Sequence, residues 1–195
     1  MTGICIQLRT PLGDEVLDLH AGDRVELSGT VYTARDEAHM RMREEGIPFD
    51  PRGAAIYHCG PVIRDNRVIA AGPTTSARMN ELSGFLIDRG IRALIGKGGM
   101  GMTVREQLRG RGVYLAFTGG CAALASGHMT LRGVFFEDLG MAEAIWEIEL
   151  DRLPLVVAID ACGNDIFASA GERAESEFLR YSGDGKGERG KCTKE

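Results

Sequence analysis

Residues 72–79, GPTTSARM, place two hydroxyls just ahead of an arginine. Gly72 and Pro73 end a strand pattern, and Thr74 or Thr75 stands where a helix would be capped. A helix start offers unpaired N–H groups and the positive end of the dipole, which suits an anion. Arg78 follows Thr74 by four residues, so on a helix the two side chains share a face. A cation in the first turn opposes the dipole at a cost of about 0.3–1 kcal/mol, which a carboxylate ligand would offset. A capped helix with a solvated arginine uses the same residues.

Two further cations stand at similar junctions. Arg35 lies where a strand pattern gives way to a helical one, just before Asp36 and Glu37, with which it could equally form a local ion pair. Lys97 lies in GKGGMG, directly after the short apolar run RALI. Residues at strand ends of α/β folds often face the ligand crevice, and glycines let backbone approach a ligand closely. A tight turn with a surface lysine would look the same. The stretch GKGGMGMT also resembles the variant phosphate loop of a class of ATPases. The motif GxxxxGK[ST] needs a lysine directly before its last residue to reach the β- and γ-phosphates. Met102 holds that place, which argues against nucleotide hydrolysis.

Cys121, in FTGGCAALASG, would be a candidate nucleophile if a helix began there. His20, His39, His58 and His128 are the available bases, but no pairing is visible in the sequence. A free cysteine otherwise behaves as a small buried hydrophobe. His58–Cys59, at a strand end, reads as packing rather than metal ligation.

These residues need a scaffold. Residues 3–9 and 24–33 read as strands, the second with Val25, Leu27, Gly29 and Val31 in alternation. ARDEAHMRMREEG carries acids at its start and glycine at its end, which are helix start and stop signals. AAIYHCGPV and RVIAAGP read as strands joined by the turn RDN. TTSARMNELSGFLIDRG reads as a helix, with Met79, Leu82 and Leu86 on one face. Then follow a strand at RALI, a helix at TVREQLRGRG, strands at VYLAFTGG and LRGVFFEDL, a helix at MAEAIWEIEL and a strand at LPLVVAID. The alternation predicts a mixed α/β domain over residues 1–181. Residues 182–195 hold no apolar residue but Cys192 and read as a flexible tail.

The totals agree. A chain of 195 residues suits one domain, and 44% hydrophobic with only 6% aromatic residues implies an aliphatic core. The net charge of −5 gives no nucleic-acid footprint. The five cysteines are widely spaced, which argues against a disulfide framework and against a self-contained zinc or iron–sulfur site. The N-terminus shows no secretory signal pattern, and no apolar run has the length of a membrane span. The expected setting is a reducing cytoplasm.

Several segments together carry a resemblance: GTVYTARDEAH, IYHCGPV, AAGPTTSARMN, LIGKGGM, AFTGGCAAL, DLGMAEAIWEIEL and IDACGNDIF. In this order, from about residue 14 to 168, they resemble the C-terminal domain, or separate β subunit, of class I fumarases and L-tartrate dehydratases. The resemblance implies the swivelling β/β/α domain of the fumarase C-terminal type. It implies an α partner that holds a [4Fe–4S] cluster by three cysteines, an active site shared between the two parts, and an α2β2 assembly. It implies a hydro-lyase of C4 dicarboxylates, with fumarate/malate first, L-tartrate next and mesaconate also in range.

In this family the cluster's open iron acts as a Lewis acid. Thr74 would be the base and Lys97 would stand beside the reacting centre. Arg35 and Arg78, with Thr75 and Gly98, would bind substrate. This chain departs from the family pattern at Cys162, where lysine is frequent, and at Cys121, where small residues are usual. A non-catalytic dicarboxylate-binding module is the alternative use of the same cations.

Overall fold

The structure is a computed structural model and describes residues 5–184. Nine strands and five α-helices are present among them. Strands β1 (Cys5–Arg9) and β2 (Arg24–Thr33) run parallel, joined through a 3-10 turn at Asp14–Asp18. β2 shows the alternation its sequence predicts, with Val25, Leu27, Val31 and Thr33 buried. Helix α1 (Asp36–Glu45) follows, with Asp36 and Glu37 in its first turn and Gly46 at φ 101° closing it. That positive φ is the conformation only glycine adopts cheaply at a helix end.

β3 (Ala55–Tyr57) adds in parallel to β2, β6 (Ala93–Gly96) to β3, and β7 (Val113–Ala116) to β6. Between β3 and β6 the chain makes a hairpin of β4 (Val62–Arg64) and β5 (Arg67–Ala70). Its turn residues Asp65 and Asn66 both have positive φ, as a two-residue hairpin turn requires. Helices α2 (Gly84–Asp88) and α3 (Met102–Leu108) flank β6 in sequence, and α4 (Ala122–Ser126) follows β7.

β8 (Met129–Phe135) and β9 (Ile145–Ile159) run antiparallel to each other, and α5 (Ile166–Asp184) closes the described chain. β9 also pairs antiparallel with β2 and with β7. The pairings β2–β3–β6–β7–β9–β2 therefore close a ring. The expected mixed α/β class is what the chain adopts.

Strand parity divides the core. Ala55, Tyr57, Ala93, Ile95, Val113, Leu115 and Val157 share one cluster with β1 and the Asp14–Asp18 turn. Ile56, Leu94, Tyr114 and Ala158 face the other way and share a second cluster with α1, α2 and α3.

Two expectations fail. MAEAIWEIEL is not a helix, because Ile145 onward lies in β9 with Trp146, Ile148 and Leu150 alternating inward. TTSARMNELSGFLIDRG is not one helix either. It holds a four-residue 3-10 turn at Ser76–Met79 and, after a break, the five-residue α2. The break has a local cause: Ser83 Oγ donates to Met79 O, and Asn80 Oδ1 accepts from the Gly101 N–H. Of the tail expected over residues 182–195, the first three residues complete α5 and the rest lies outside the described residues.

Candidate functional site

β2, β3, β6 and β7 are parallel, so their C-terminal ends reach one edge of the sheet. Arg35 follows β2, His58 follows β3, Lys97 follows β6, and Thr118–Gly119 follow β7. That edge is where α/β sheets collect ligand-binding residues.

The segment returning from the hairpin crosses this edge as extended chain. Cys59 bridges Pro73, and Thr75 bridges Lys97 in parallel register. The Thr74 N–H donates to His58 O at 2.7 Å, the Lys97 N–H to Thr74 O at 3.3 Å, and the Ser76 N–H to Lys97 O at 3.1 Å. Thr74, Thr75 and Lys97 are thus adjacent by backbone bonds. Thr75 occupies the N-cap position of the 3-10 turn but makes no side-chain cap bond. A helix-terminus anion site is not formed at this motif: the N–H of Ser76 is spent on Lys97 O, and Ser76–Met79 is a four-residue 3-10 turn.

The Lys97 side chain passes close to Gly119, and Gly98 takes φ 72°. Thr75, Lys97, Gly98, Thr118 and Gly119 line an open hollow of ≈ 560 Å³, whose far wall is apolar and includes Ile166 and Phe167. Thr74, Arg35 and Arg78 are not among its lining residues.

The two arginines are engaged nearby. Arg78 Nη2 donates to Asp36 Oδ2 at 2.5 Å, so the cation of the 3-10 turn is held by the first residue of α1. Arg35, at the N-cap of α1, points its Nε at Glu143 Oε1, 3.3 Å away. The pair is ionic rather than hydrogen-bonded, since that Nε is buried without hydrogen-bond geometry to any acceptor. The local pair with Asp36 or Glu37 is not formed. Arg35 also covers Gly60, where a Cβ would sit 2.9 Å from its Nη1.

Behind the edge lies a buried polar chain that the sequence did not reveal. His58 Nδ1 is 2.8 Å from Ser76 Oγ, and Tyr114 Oη is 3.1 Å from Ser76 Oγ and 2.8 Å from Gly98 O. All three side chains are fully buried. Burial pushes the Tyr114 phenol up to about 12 and holds His58 well below its usual value, with neighbouring His39 lowering it further. His39 Nδ1 lies 2.7 Å from Arg35 O, and its ring centre is 5.5 Å from that of His58. Ser76 sits inside the motif already singled out; its inward turn has no sequence signal.

The other candidates resolve simply. Cys121 caps the five-residue α4, and its Sγ donates to Thr118 O at 2.6 Å. No histidine bonds to it among the described residues; each of the four has another partner. Met102 opens α3 and is exposed where a phosphate loop would need lysine.

Residues 2–170 match the family described as Fumarase C-terminus. The chain belongs to the fumarase C-terminal family. A protein of Methanocaldococcus jannaschii provisionally named L(+)-tartrate dehydratase subunit beta is 43% identical over 183 residues, covering 87% of this chain and 94% of that one. The L(+)-tartrate dehydratase subunit beta of Escherichia coli K12 is 36% identical over 172 residues, covering 83% and 86%. A Geobacillus stearothermophilus protein provisionally named fumarate hydratase class I is 38% identical over 170 residues, covering 83% of this chain and 33% of that longer one.

Fumarase C-terminal membership raises the question of an iron–sulfur cluster. The described part of this chain does not fit one. Among the described residues no three His, Cys, Asp or Glu side chains group to hold a metal. Cys59 is buried and its thiol is pushed up to about 12 by that burial, which opposes the thiolate a cluster needs.

Proposed function

We propose that this chain is the β subunit of a two-subunit hydro-lyase that adds or removes water across a C–C bond of a C4 dicarboxylate. Fumarate/malate is the leading pair, with L-tartrate next and mesaconate in range. The observation that carries the reading is the joining of Thr74, Thr75 and Lys97 at the C-terminal edge of four parallel strands, in a family whose members include named dehydratases. The hollow beside them is open and mostly apolar, so another surface must complete it. That surface is assigned to an α subunit, which would carry the [4Fe–4S] cluster, in an α2β2 assembly. The described cysteines are free, as suits a reducing cytoplasm.

Thr74 is the proton acceptor in this reading. A hydroxyl is a poor base unless its charged form is stabilised, and Lys97, whose backbone N–H bonds Thr74 O, carries a charge of the right sign. Arg35 and Arg78 bind the substrate carboxylates, with Thr75 and the Gly98 backbone orienting the substrate beside them. Guanidinium suits this work because its planar fork matches a carboxylate.

Anaerobic reconstitution with the α subunit, followed by assay on malate, L-tartrate and mesaconate, tests the activity. Turnover of none of the three sinks the reading. Thr74→Ala in the active complex should lose at least about 100-fold in kcat; near-normal turnover removes Thr74 from the mechanism.

A further inference from the structure

We propose that His58, Ser76 and Tyr114 form a one-way hydrogen-bond chain that positions the Lys97–Gly98 loop. The proposal rests on the reading of Lys97 as an active-site residue. The direction of the chain follows from proton counting. Tyr114 Oη has one proton and faces two oxygens, Gly98 O at 2.8 Å and Ser76 Oγ at 3.1 Å. A carbonyl can only accept, so Tyr114 donates to Gly98 O. Ser76 must then donate its single proton to Tyr114 Oη. His58 Nδ1, 2.8 Å from Ser76 Oγ, must in turn be the N–H donor to Ser76. Reversed, the chain would set two acceptors 2.8 Å apart at Gly98.

The chain ends on the site. Lys97 is gripped on both sides by backbone, its N–H on Thr74 O and its C=O under the Ser76 N–H. The next peptide carbonyl, that of Gly98, is the one Tyr114 holds. Gly98 takes a positive φ, so nothing in its own conformation is shared with ordinary strand, and the bond to Tyr114 fixes where the strand stops. Ser76 therefore acts twice, through its amide on Lys97 and through its hydroxyl on the chain that holds Gly98. Gly96 makes room for that hydroxyl: a Cβ there would lie 1.8 Å from Ser76 Oγ. Tyr114 reaches this point because it is on the parity of β7 that faces the helices, one strand away from Gly96. The three are positioning residues, since each reaches the proposed site through another group.

The test uses the reconstituted α–β complex with Tyr114→Phe, which keeps the ring and removes the donor. Hydrogen exchange should speed about tenfold or more at the Lys97 and Ser76 amides while the Ile95 and Leu115 amides keep their wild-type rates. kcat/KM should fall about tenfold, as expected for a misplaced active-site group, and the fall should vanish in a Lys97→Ala background. His58→Asn keeps an N–H donor at the δ position and should restore both readouts relative to His58→Leu. Unchanged loop exchange in Tyr114→Phe, or faster exchange spread equally over β6 and β7, overturns the positioning chain. Absence of turnover in the wild-type complex would instead count against the functional reading, and the exchange pattern would still decide the chain.

Discussion

Arg35 and Arg78 are both occupied by carboxylates of this chain, so a substrate bound there as proposed would have to displace or share Glu143 and Asp36. Their surroundings differ. The Arg78 side chain is 51% exposed, and an exposed ion pair contributes little, about 0–1 kcal/mol. Arg78→Ala should therefore raise KM for the dicarboxylate about 10–100-fold and leave the urea midpoint nearly unchanged. The Arg35–Glu143 pair is 22% and 16% exposed. Arg35→Ala would leave Glu143 desolvated without its cation, at a cost of about 1–3 kcal/mol. Equal stability losses in the two variants, measured by urea unfolding, would contradict this distinction. The motif residues were legible as a group, because Thr74, Arg78 and Lys97 all stand where strand patterns stop. Their environment was not. Ser76 turns inward because its amide bonds Lys97 O, a long-range pairing that no spacing along the chain encodes. Tyr114 and His58 meet it only after β3, β6 and β7 have paired.

At the scale of elements, β9 carries most of what the sequence concealed. MAEAIWEIEL is rich in Ala and Glu, which favour helix, yet its apolar residues alternate. Pairing with β2 on one side and β8 on the other decides the matter. The inward set is Trp146, Ile148 and Leu150, then Leu153, Leu155 and Val157. The parity changes from even to odd at Asp151–Arg152, where an extra residue opposes Ser28 and Arg152 takes φ 50°. This is a bulge, and it lets one strand of 15 residues keep a single apolar face through the change of register. Arg152→Val should cost about 1–2 kcal/mol more than Arg152→Gly, since a β-branched residue resists positive φ. Gly29 lies across from the bulge at φ 94°, and a Cβ there would sit 2.4 Å from Thr10 Oγ1 and 2.8 Å from Thr10 O. Backbone cannot yield as a side chain can, so Gly29→Ala should lose about 2–3 kcal/mol. Chemical denaturation of the three variants checks both statements. Equal midpoints for Arg152→Val and Arg152→Gly would remove the bulge from the account.

For the molecule as a whole, the α/β class was legible from alternating patterns, but ring closure was not, because it depends on β9 reaching both β2 and β7. Closure leaves one face of the ring to the helices, and α1 meets that face through two buried histidines. His39 from α1 and His58 from the end of β3 stand 5.5 Å apart, each with a buried Nε2 lacking a partner. Burial lowers His39 to about 4 and holds His58 well below its ordinary value of 6.5. Both are therefore neutral in the folded chain at pH 7. In the unfolded chain they take up protons as the pH drops past about 6.5. Between that value and about 4 the unfolded state binds more protons than the folded state, so stability falls as pH falls. For His39 alone the loss over this interval is about 3 kcal/mol, and His58, shifted in the same direction, adds to the fall. Above about pH 8 neither histidine contributes appreciable slope. His39→Leu should flatten the fall between pH 6.5 and 4 while costing stability at pH 7 through the lost bond to Arg35 O. Urea unfolding of wild type and variant at several pH values in that window measures the difference. A variant whose slope matches wild type would mean that His39 titrates normally in the folded chain and that the joint between α1 and the ring is wet.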